Sequence, residues 1–154
     1  IFSGFMADAA TWDDIVWLKT QTRLPILLKG MTHPADAEHA ENIGLDGVIV
    51  SNHGGRSLDG IPPAIKLLSS VRGAVDQSFP VLFDGGIRKG SDIFKALALG
   101  ANAVLIGRPQ MYGLAVAGAL GVAHILKLLK DELEVTMALT GCPTLDDINE
   151  SCIY

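Results

Sequence analysis

Cysteine is nearly absent from this chain. Cys142 and Cys152 are its whole complement over 154 residues, and neither sits at a metal-ligand spacing. Two thiols cannot make the disulfide framework of a small secreted scaffold, so a reducing cytoplasm is the expected setting. A block of lysine and arginine is also missing, and the formal net charge is -5. No basic groove can be built from that pattern, which argues against nucleic acid as a partner. Long apolar runs are missing too. The stretch from Gly113 to Leu126 is the most apolar, but it is rich in glycine and alanine, contains His124, and is too short to span a bilayer. No signal-peptide pattern is visible, and the last four residues, Ser151-Cys152-Ile153-Tyr154, carry no peroxisomal or retention tripeptide. The expectation is a cytoplasmic protein, with a peroxisomal site left open for a eukaryotic parent. The first residue is Ile1 rather than methionine, so a longer gene product is expected.

What the chain does have is a rhythm. Four short apolar runs recur: Pro25–Leu28, Gly47–Val50, Pro80–Phe83 and Ala103–Ile106. Each is almost continuously apolar rather than alternating, as expected for strands covered on both faces in a parallel sheet. Helical segments separate them. Pro34 to Ile43 has proline near its start and Gly44 just past its end. Pro62 to Val75 carries Ile65, Leu67, Leu68 and Val71 at helical spacing. Ser91 is placed to cap Asp92–Leu99, which Gly100 closes. Thr11 can cap a first helix containing Ile15, Trp17 and Leu18. Tyr112–Leu139 reads as helical, with a break near its glycines, and Gly141 and Pro143 end it. The pattern is α-(βα)₄, one α/β unit without a linker.

Three polar residues and a glycine stand just past the four apolar runs: Lys29, Ser51, Asp84 and Gly107. In parallel α/β folds, ligands bind at that end of the strands. The segment Ser51-Asn52-His53-Gly54-Gly55-Arg56 places a titratable imidazole three residues from a permanent cation. The two glycines allow a tight turn, so both side chains can face one small space. Arginine there suits a carboxylate, and histidine suits removal of a proton beside it. Asp84-Gly85-Gly86-Ile87-Arg88 and Gly107-Arg108-Pro109 each combine unobstructed amides with a guanidinium. Either alone would read as an ordinary glycine turn. In consecutive strand-turn-helix units they match the phosphate site that eight-stranded barrels build after strands seven and eight. Asp84 suits the hydroxyls of a sugar or ribityl chain beside that phosphate. On this assignment the four runs are strands five to eight of a (β/α)8 TIM barrel. The chain is then its C-terminal half, since a full barrel takes about 250 residues. Standing alone, the first and last runs would be unguarded apolar edges.

These segments resemble the FMN-dependent 2-hydroxy acid oxidase and dehydrogenase family, which includes glycolate oxidase, lactate oxidase and flavocytochrome lactate dehydrogenase. The likeness rests on Thr11-Trp12-Asp13-Asp14 with Trp17-Leu18, on Leu24 to Gly30, on Ser51 to Arg56 and on Asp84 to Arg88. It continues through Lys95 to Ala101 and Gly107-Arg108-Pro109, and so runs over nearly the whole chain. The resemblance implies an FMN cofactor and oxidation of a small (S)-2-hydroxy acid, of glycolate or L-lactate type, to the 2-oxo acid. It implies His53 as catalytic base and Arg56 as the group binding the substrate carboxylate. It further implies that Lys29 stands beside the flavin N1 and C2 carbonyl, and that Ser51 hydrogen-bonds the flavin. Asp84, Gly85, Gly86, Ile87 and Arg88 would hold the ribityl chain and phosphate, and Gly107 and Arg108 the phosphate. Oxygen or a protein would accept the electrons, and the full-length parent would be a homo-oligomer, a tetramer or larger. Ser57 stands where many relatives have glutamine. The expectation for residues 1–154 is a C-terminal barrel fragment that, alone, neither holds FMN tightly nor turns over.

Other titratable and aromatic residues carry less. His33 reads as a surface turn near Lys29, His39 and His124 as packing or surface residues, and Trp12 with Trp17 as helix-to-barrel packing. Asp131-Glu132 and Asp146-Asp147 read as solvated helix-end charges rather than a carboxylate pair, and no metal site is expected. Two other readings stay open at this point. One is a different FMN barrel, such as a type 2 isopentenyl diphosphate isomerase or an IMP-dehydrogenase-like enzyme, which share the glycine-rich loops but not the His53–Arg56 spacing. The other is a truncated, non-catalytic half-barrel that completes itself with another chain.

Overall fold

A computed structural model describes Gly4 and residues 9–153; Ile1 and Tyr154 lie outside the described residues. Among the described residues, five helices and four strands alternate: α1 (Trp12–Gln21), β1 (Leu27–Met31), α2 (Pro34–Asn42), β2 (Gly47–Val50), α3 (Ala64–Arg72), β3 (Val81–Asp84), α4 (Gly90–Ala98), β4 (Ala103–Leu105) and α5 (Arg108–Thr140). The strands form one parallel sheet in the order β1-β2-β3-β4, so chain order and spatial order coincide. Each crossover is a helix, as parallel neighbours require. Short 3₁₀ turns follow β2 (His53–Gly55) and α5 (Leu145–Asp147 and Glu150–Cys152).

Burial is uneven across the sheet, and this refines the expectation of strands covered on both faces. All four residues of β2 are buried, while β3 alternates buried and half-buried positions. β1 and β4 are largely open. The two central strands therefore carry the core, with Val48, Val50, Val81 and Phe83 packed on Leu68 and Val71 of α3. Arg72 closes the base of that core. Its guanidinium donates to the carbonyls of Phe79 (2.8 Å), Val75 (3.3 Å) and Asp76. Burial pushes its pKa down, partly offset by Glu41 and Asp76.

Local chemistry sets the helix ends. Thr11 caps α1 through a reciprocal pair with Asp14, whose carboxylate accepts from the Thr11 N–H and hydroxyl, both at 2.7 Å. His33 caps α2, its Nδ1 accepting from Ala35 N–H at 3.2 Å, with Pro34 at the first helical position. α3 is shorter than its apolar spacing suggests, because Pro63 rather than Pro62 immediately precedes its first turn and Gly73 follows its last. For α4 the cap is Lys89, not Ser91. Asp92 reaches back to the N–H groups of Arg88 (2.9 Å) and Lys89 (3.0 Å), so the chain is already held two residues before the serine.

α5 breaks, as its glycines suggest, at Ala117 (φ -144°, ψ 25°) and Gly118 (φ 57°, ψ -140°). A Cβ placed on Gly113 would come within 2.5 Å of the Gly121 carbonyl oxygen. Eight residues of straight helix span about 12 Å, so the chain turns sharply back here, and only glycine fits on both sides of the contact. By length and composition the 33-residue span is apolar enough to cross a membrane, but the reversal divides it into two arms. Leu114, Val116 and Leu120 are exposed along them. Trp12 packs edge-on against His39 with ring centroids 4.5 Å apart. Trp17, expected to pack on the barrel, is 61% exposed, because α1 turns that face away from the sheet. Glu132, expected to be a solvated charge, accepts from the Gly90 N–H at 2.7 Å and ties α5 to the start of α4.

Candidate functional site

The first apolar run is displaced in the structure. β1 covers Leu27–Met31 rather than Pro25–Leu28, so Lys29 lies within a strand instead of just after it. Its pairing explains why. Lys29 is opposite Ile49 and Met31 is opposite Val50, which leaves Gly30 unpaired in a bulge. Gly30 has φ +100°, and a Cβ there would stand 2.7 Å from Nε2 of His53. The bulge opens a notch, and the His53 imidazole sits in it.

His53 itself is held in an uncommon conformation. Its φ of 54° is the one positive value among the described non-glycine residues, a conformation that costs energy and persists where surroundings enforce it. Gly54 and Gly55 continue in the left-handed region at 71° and 73°. The Asn52 side chain accepts from Gly54 N–H at 3.1 Å and steadies the turn. Arg56 Nε donates to the His53 carbonyl at 3.3 Å, so the arginine folds back beside the histidine.

Beneath this turn lies a closed polar group. Ser51 is fully buried. Its hydroxyl donates to Asp84 Oδ1 (2.7 Å) and accepts from Lys29 Nζ (3.1 Å) and from the His53 backbone N–H (3.1 Å). One donor and two lone pairs are all a hydroxyl offers, and all three are engaged. Lys29 Nζ also stands 3.3 Å from Asp84 Oδ2. Three strands are joined by these contacts, with Asp84 at the last position of β3.

Above the group opens a cleft of about 500 Å³ at the C-terminal ends of the strands, within the range of small-molecule sites. Lys29, His53, Arg56, Asp84, Gly85, Gly86, Ile87, Arg88, Gly107 and Arg108 line it. Every site residue expected from sequence is therefore on its wall except Ser51, which lies under it. Gly85 and Gly86 have φ of +116° and +80°, and a Cβ on Gly86 or Gly107 would meet nothing within 4 Å. Backbone at Gly86 and Gly107 thus borders open space on the cleft wall, where a ligand can approach it closely. Arg108 opens α5, adding a helix N-terminus to the same wall. Four fixed cations against one carboxylate line the cleft of a chain whose net charge is -5. Such a concentration of positive charge draws anions.

Several wall residues were not singled out from sequence. Met111, Tyr112 and Ile125 close one side, the first two on the opening arm of α5 and Ile125 on the arm that returns after the break at Ala117–Gly118. Gly30 carried a readable signal, since a glycine inside an apolar strand marks a bulge. Among the described residues no cluster of histidine, cysteine and carboxylate could hold a metal.

Known proteins resemble this chain in sequence and in fold. An L-lactate oxidase from Alicycliphilus denitrificans is 55% identical over 153 residues, covering 99% of this chain and 42% of that protein. A peroxisomal (S)-2-hydroxyacid oxidase from Arabidopsis thaliana is 56% identical over 151 residues, covering 97% and 42%. Among solved structures, mandelate oxidase with 3,3-difluoro-2-hydroxy-3-phenylpropionic acid superposes with a TM-score of 0.88 at 46% identity, over 92% of this chain and 43% of that one. A soluble mutant of the membrane-associated (S)-mandelate dehydrogenase from Pseudomonas putida gives 0.88 at 42% identity, over 93% and 40%. The chain spans about two fifths of the length of the relatives it matches. Its four β/α units correspond to half of their eight-stranded barrel. The FMN-dependent dehydrogenase family matches residues 1–154, and with the bulge-seated histidine and cationic cleft in view, the chain belongs to that family.

Proposed function

We propose that this chain is the substrate and phosphate side of an FMN-dependent enzyme that oxidises a small (S)-2-hydroxy acid to the 2-oxo acid. The observation that carries the reading is the convergence of His53, Arg56, Arg88 and Arg108 on one cleft. The relatives, named as lactate, 2-hydroxyacid and mandelate oxidases, support the substrate class.

FMN, when bound, supplies the two-electron acceptor. The residues suit it: open glycine amides with Arg88 and Arg108 for the phosphate, Asp84 for ribityl hydroxyls, and Lys29 for the negative charge that reduction brings. Ser51, expected to bond the flavin, contributes from below by fixing Lys29 and Asp84. Arg56 grips the substrate carboxylate as a forked cation. That contact sets the α-carbon and its hydroxyl against His53, whose Nε2 takes a proton from the substrate. The His53 backbone N–H is anchored on Ser51, so the base cannot swing away with its loop.

The test uses the full-length protein with FMN bound, mixed anaerobically with L-lactate, glycolate or mandelate. His53→Ala should slow flavin bleaching by about 10²–10⁴-fold while the oxidised flavin spectrum is retained. Arg56→Ala should chiefly raise the substrate concentration needed. A His53 variant that bleaches at the parent rate would remove histidine from the role of base.

A further inference from the structure

The cleft does not involve the two cysteines, which the fold brings together far from it. Cys142 ends the turn after α5 and Cys152 lies in the final 3₁₀ turn. Their sulfurs are 3.7 Å apart, and both thiols remain free. Both also point at one acceptor, the Asp147 carbonyl, at 3.8 and 3.9 Å. The segment between them is a strap. Gly141 turns the chain at φ 73°, Cys142 N–H returns to the Met137 carbonyl at 2.9 Å, and Thr144 and Asp147 cap the following turn. Cys142 and Ile148 then pack with Phe94 and Ala98 of α4 in a second apolar cluster that also takes in Cys152.

We propose that Cys142 and Cys152 form a reversible intrachain disulfide that locks this strap across α4 and α5, with a hydroperoxide as oxidant and a small dithiol as reductant. A disulfide needs sulfurs about 2.05 Å apart, so closure takes a movement of about 1.7 Å, within reach of a side-chain rotation. The roles divide by exposure. Cys142 is 5% exposed, while Cys152 is only partly covered. The Thr140 hydroxyl, the largest single influence, pulls the Cys142 thiol down, but burial, the Cys152 thiol and the Asp147 carboxylate together leave it raised. Cys152 therefore meets the peroxide. Its sulfur attacks one peroxide oxygen, the O–O bond breaks, and a sulfenic acid and water result. Cys142 then attacks that sulfur, the S–S bond forms, and the hydroxyl leaves as water with the Cys142 proton. Two thiols and one hydrogen peroxide thus give one disulfide and two waters. A dithiol reverses the bond by exchange.

Both helices on which the strap lies begin at the cleft wall, α4 just after Arg88 and α5 at Arg108. The lock would stiffen their far ends without touching the cleft, and it does not rest on the proposed activity. The test treats the purified full chain with equimolar hydrogen peroxide, followed by alkylation and intact mass measurement. The expected result is loss of two hydrogens, a fall from two alkylated thiols to none, and recovery of both with dithiothreitol. Chymotryptic cleavage at the exposed Leu145 should slow by about tenfold on oxidation, since closing the loop suppresses local opening. Cys152→Ser leaves the buried Cys142 in place, so folding is retained. That variant should keep one alkylatable thiol and gain no protection from peroxide. Two thiols still alkylated after peroxide, only sulfinic or sulfonic acid products, or cross-links only between chains would each overturn the proposal. Equal protection of the Cys152→Ser variant would overturn it as well.

Discussion

On the floor of the cleft, Lys29, Ser51 and Asp84 bond to one another, while on its rim Arg56, Arg88 and Arg108 have no carboxylate within ion-pair distance among the described residues. The floor ties β1, the end of β2 and β3 together through contacts made within the protein. The rim is set out on glycine turns and, among the described residues, has no carboxylate partner, although Arg56 Nε donates to the His53 carbonyl. Buried polar groups must find partners within the protein, because an orphan costs about 1–3 kcal/mol. Exposed guanidinium groups can wait for an anion in water. One site thus divides its labour, with shape set by the interior and charge offered at the edge.

The sharpest way to break that division is to remove the floor. Asp84→Ala leaves the Ser51 O–H without its acceptor and removes the carboxylate from beside Lys29. It should lower unfolding free energy by about 1–3 kcal/mol, read from the urea midpoint. Next in size is the notch. Gly30→Ala puts a Cβ against the His53 ring at a φ that side chains rarely adopt, and should cost about 1–2 kcal/mol. It should also displace the imidazole, so its NMR chemical shift would move more than in any rim variant. On the rim the expectation reverses. Arg88→Ala should change stability by under about 0.5 kcal/mol, yet weaken FMN or inorganic phosphate binding by about tenfold or more in titration, as loss of a charge-assisted pair implies. Equal stability losses for Asp84→Ala and Arg88→Ala would erase the distinction.

The smallest effect is one of pH. Hydroxyl and backbone N–H donation from Ser78 holds the Asp76 carboxyl below its ordinary value of 3.8, and Thr144 does the same for Asp147. A carboxylate depressed in the folded state stabilises it above the unfolded pKa, and that contribution is lost as pH falls through the folded one. Stability should therefore be level near neutrality and decline below about pH 4. Thr144→Val should make the decline shallower, measured as thermal midpoint against pH.

Much of this was legible before any coordinates. Gly47–Val50 is a strand from end to end because a buried parallel strand must be apolar throughout. Ser51 to Arg56, Asp84 to Arg88 and Gly107-Arg108 all fall at the same end of the sheet, as their position after each run implies. The boundaries of β1 were not legible, since the bulge at Gly30 depends on pairing with β2. Neither was the cap of α4, which Asp92 moves from Ser91 to Lys89, nor the exposure of Trp17, which rests on the angle of α1.

What the residues determined alone is periodic and local: the alternation of strand and helix, the glycine turns, the charges each turn carries and the family they mark. Those follow from backbone sterics and hydrophobic spacing, which act over a few residues. Only the tertiary structure decided that Ser51 lies under the cleft rather than on its wall and that Gly30 makes room for His53. It also decided that α5 doubles back to bring Ile125 to the cleft wall beside Tyr112, and that two cysteines ten residues apart meet at 3.7 Å. Those contacts join residues distant along the chain, and only packing in three dimensions chooses among the partners that the same side chains could accept.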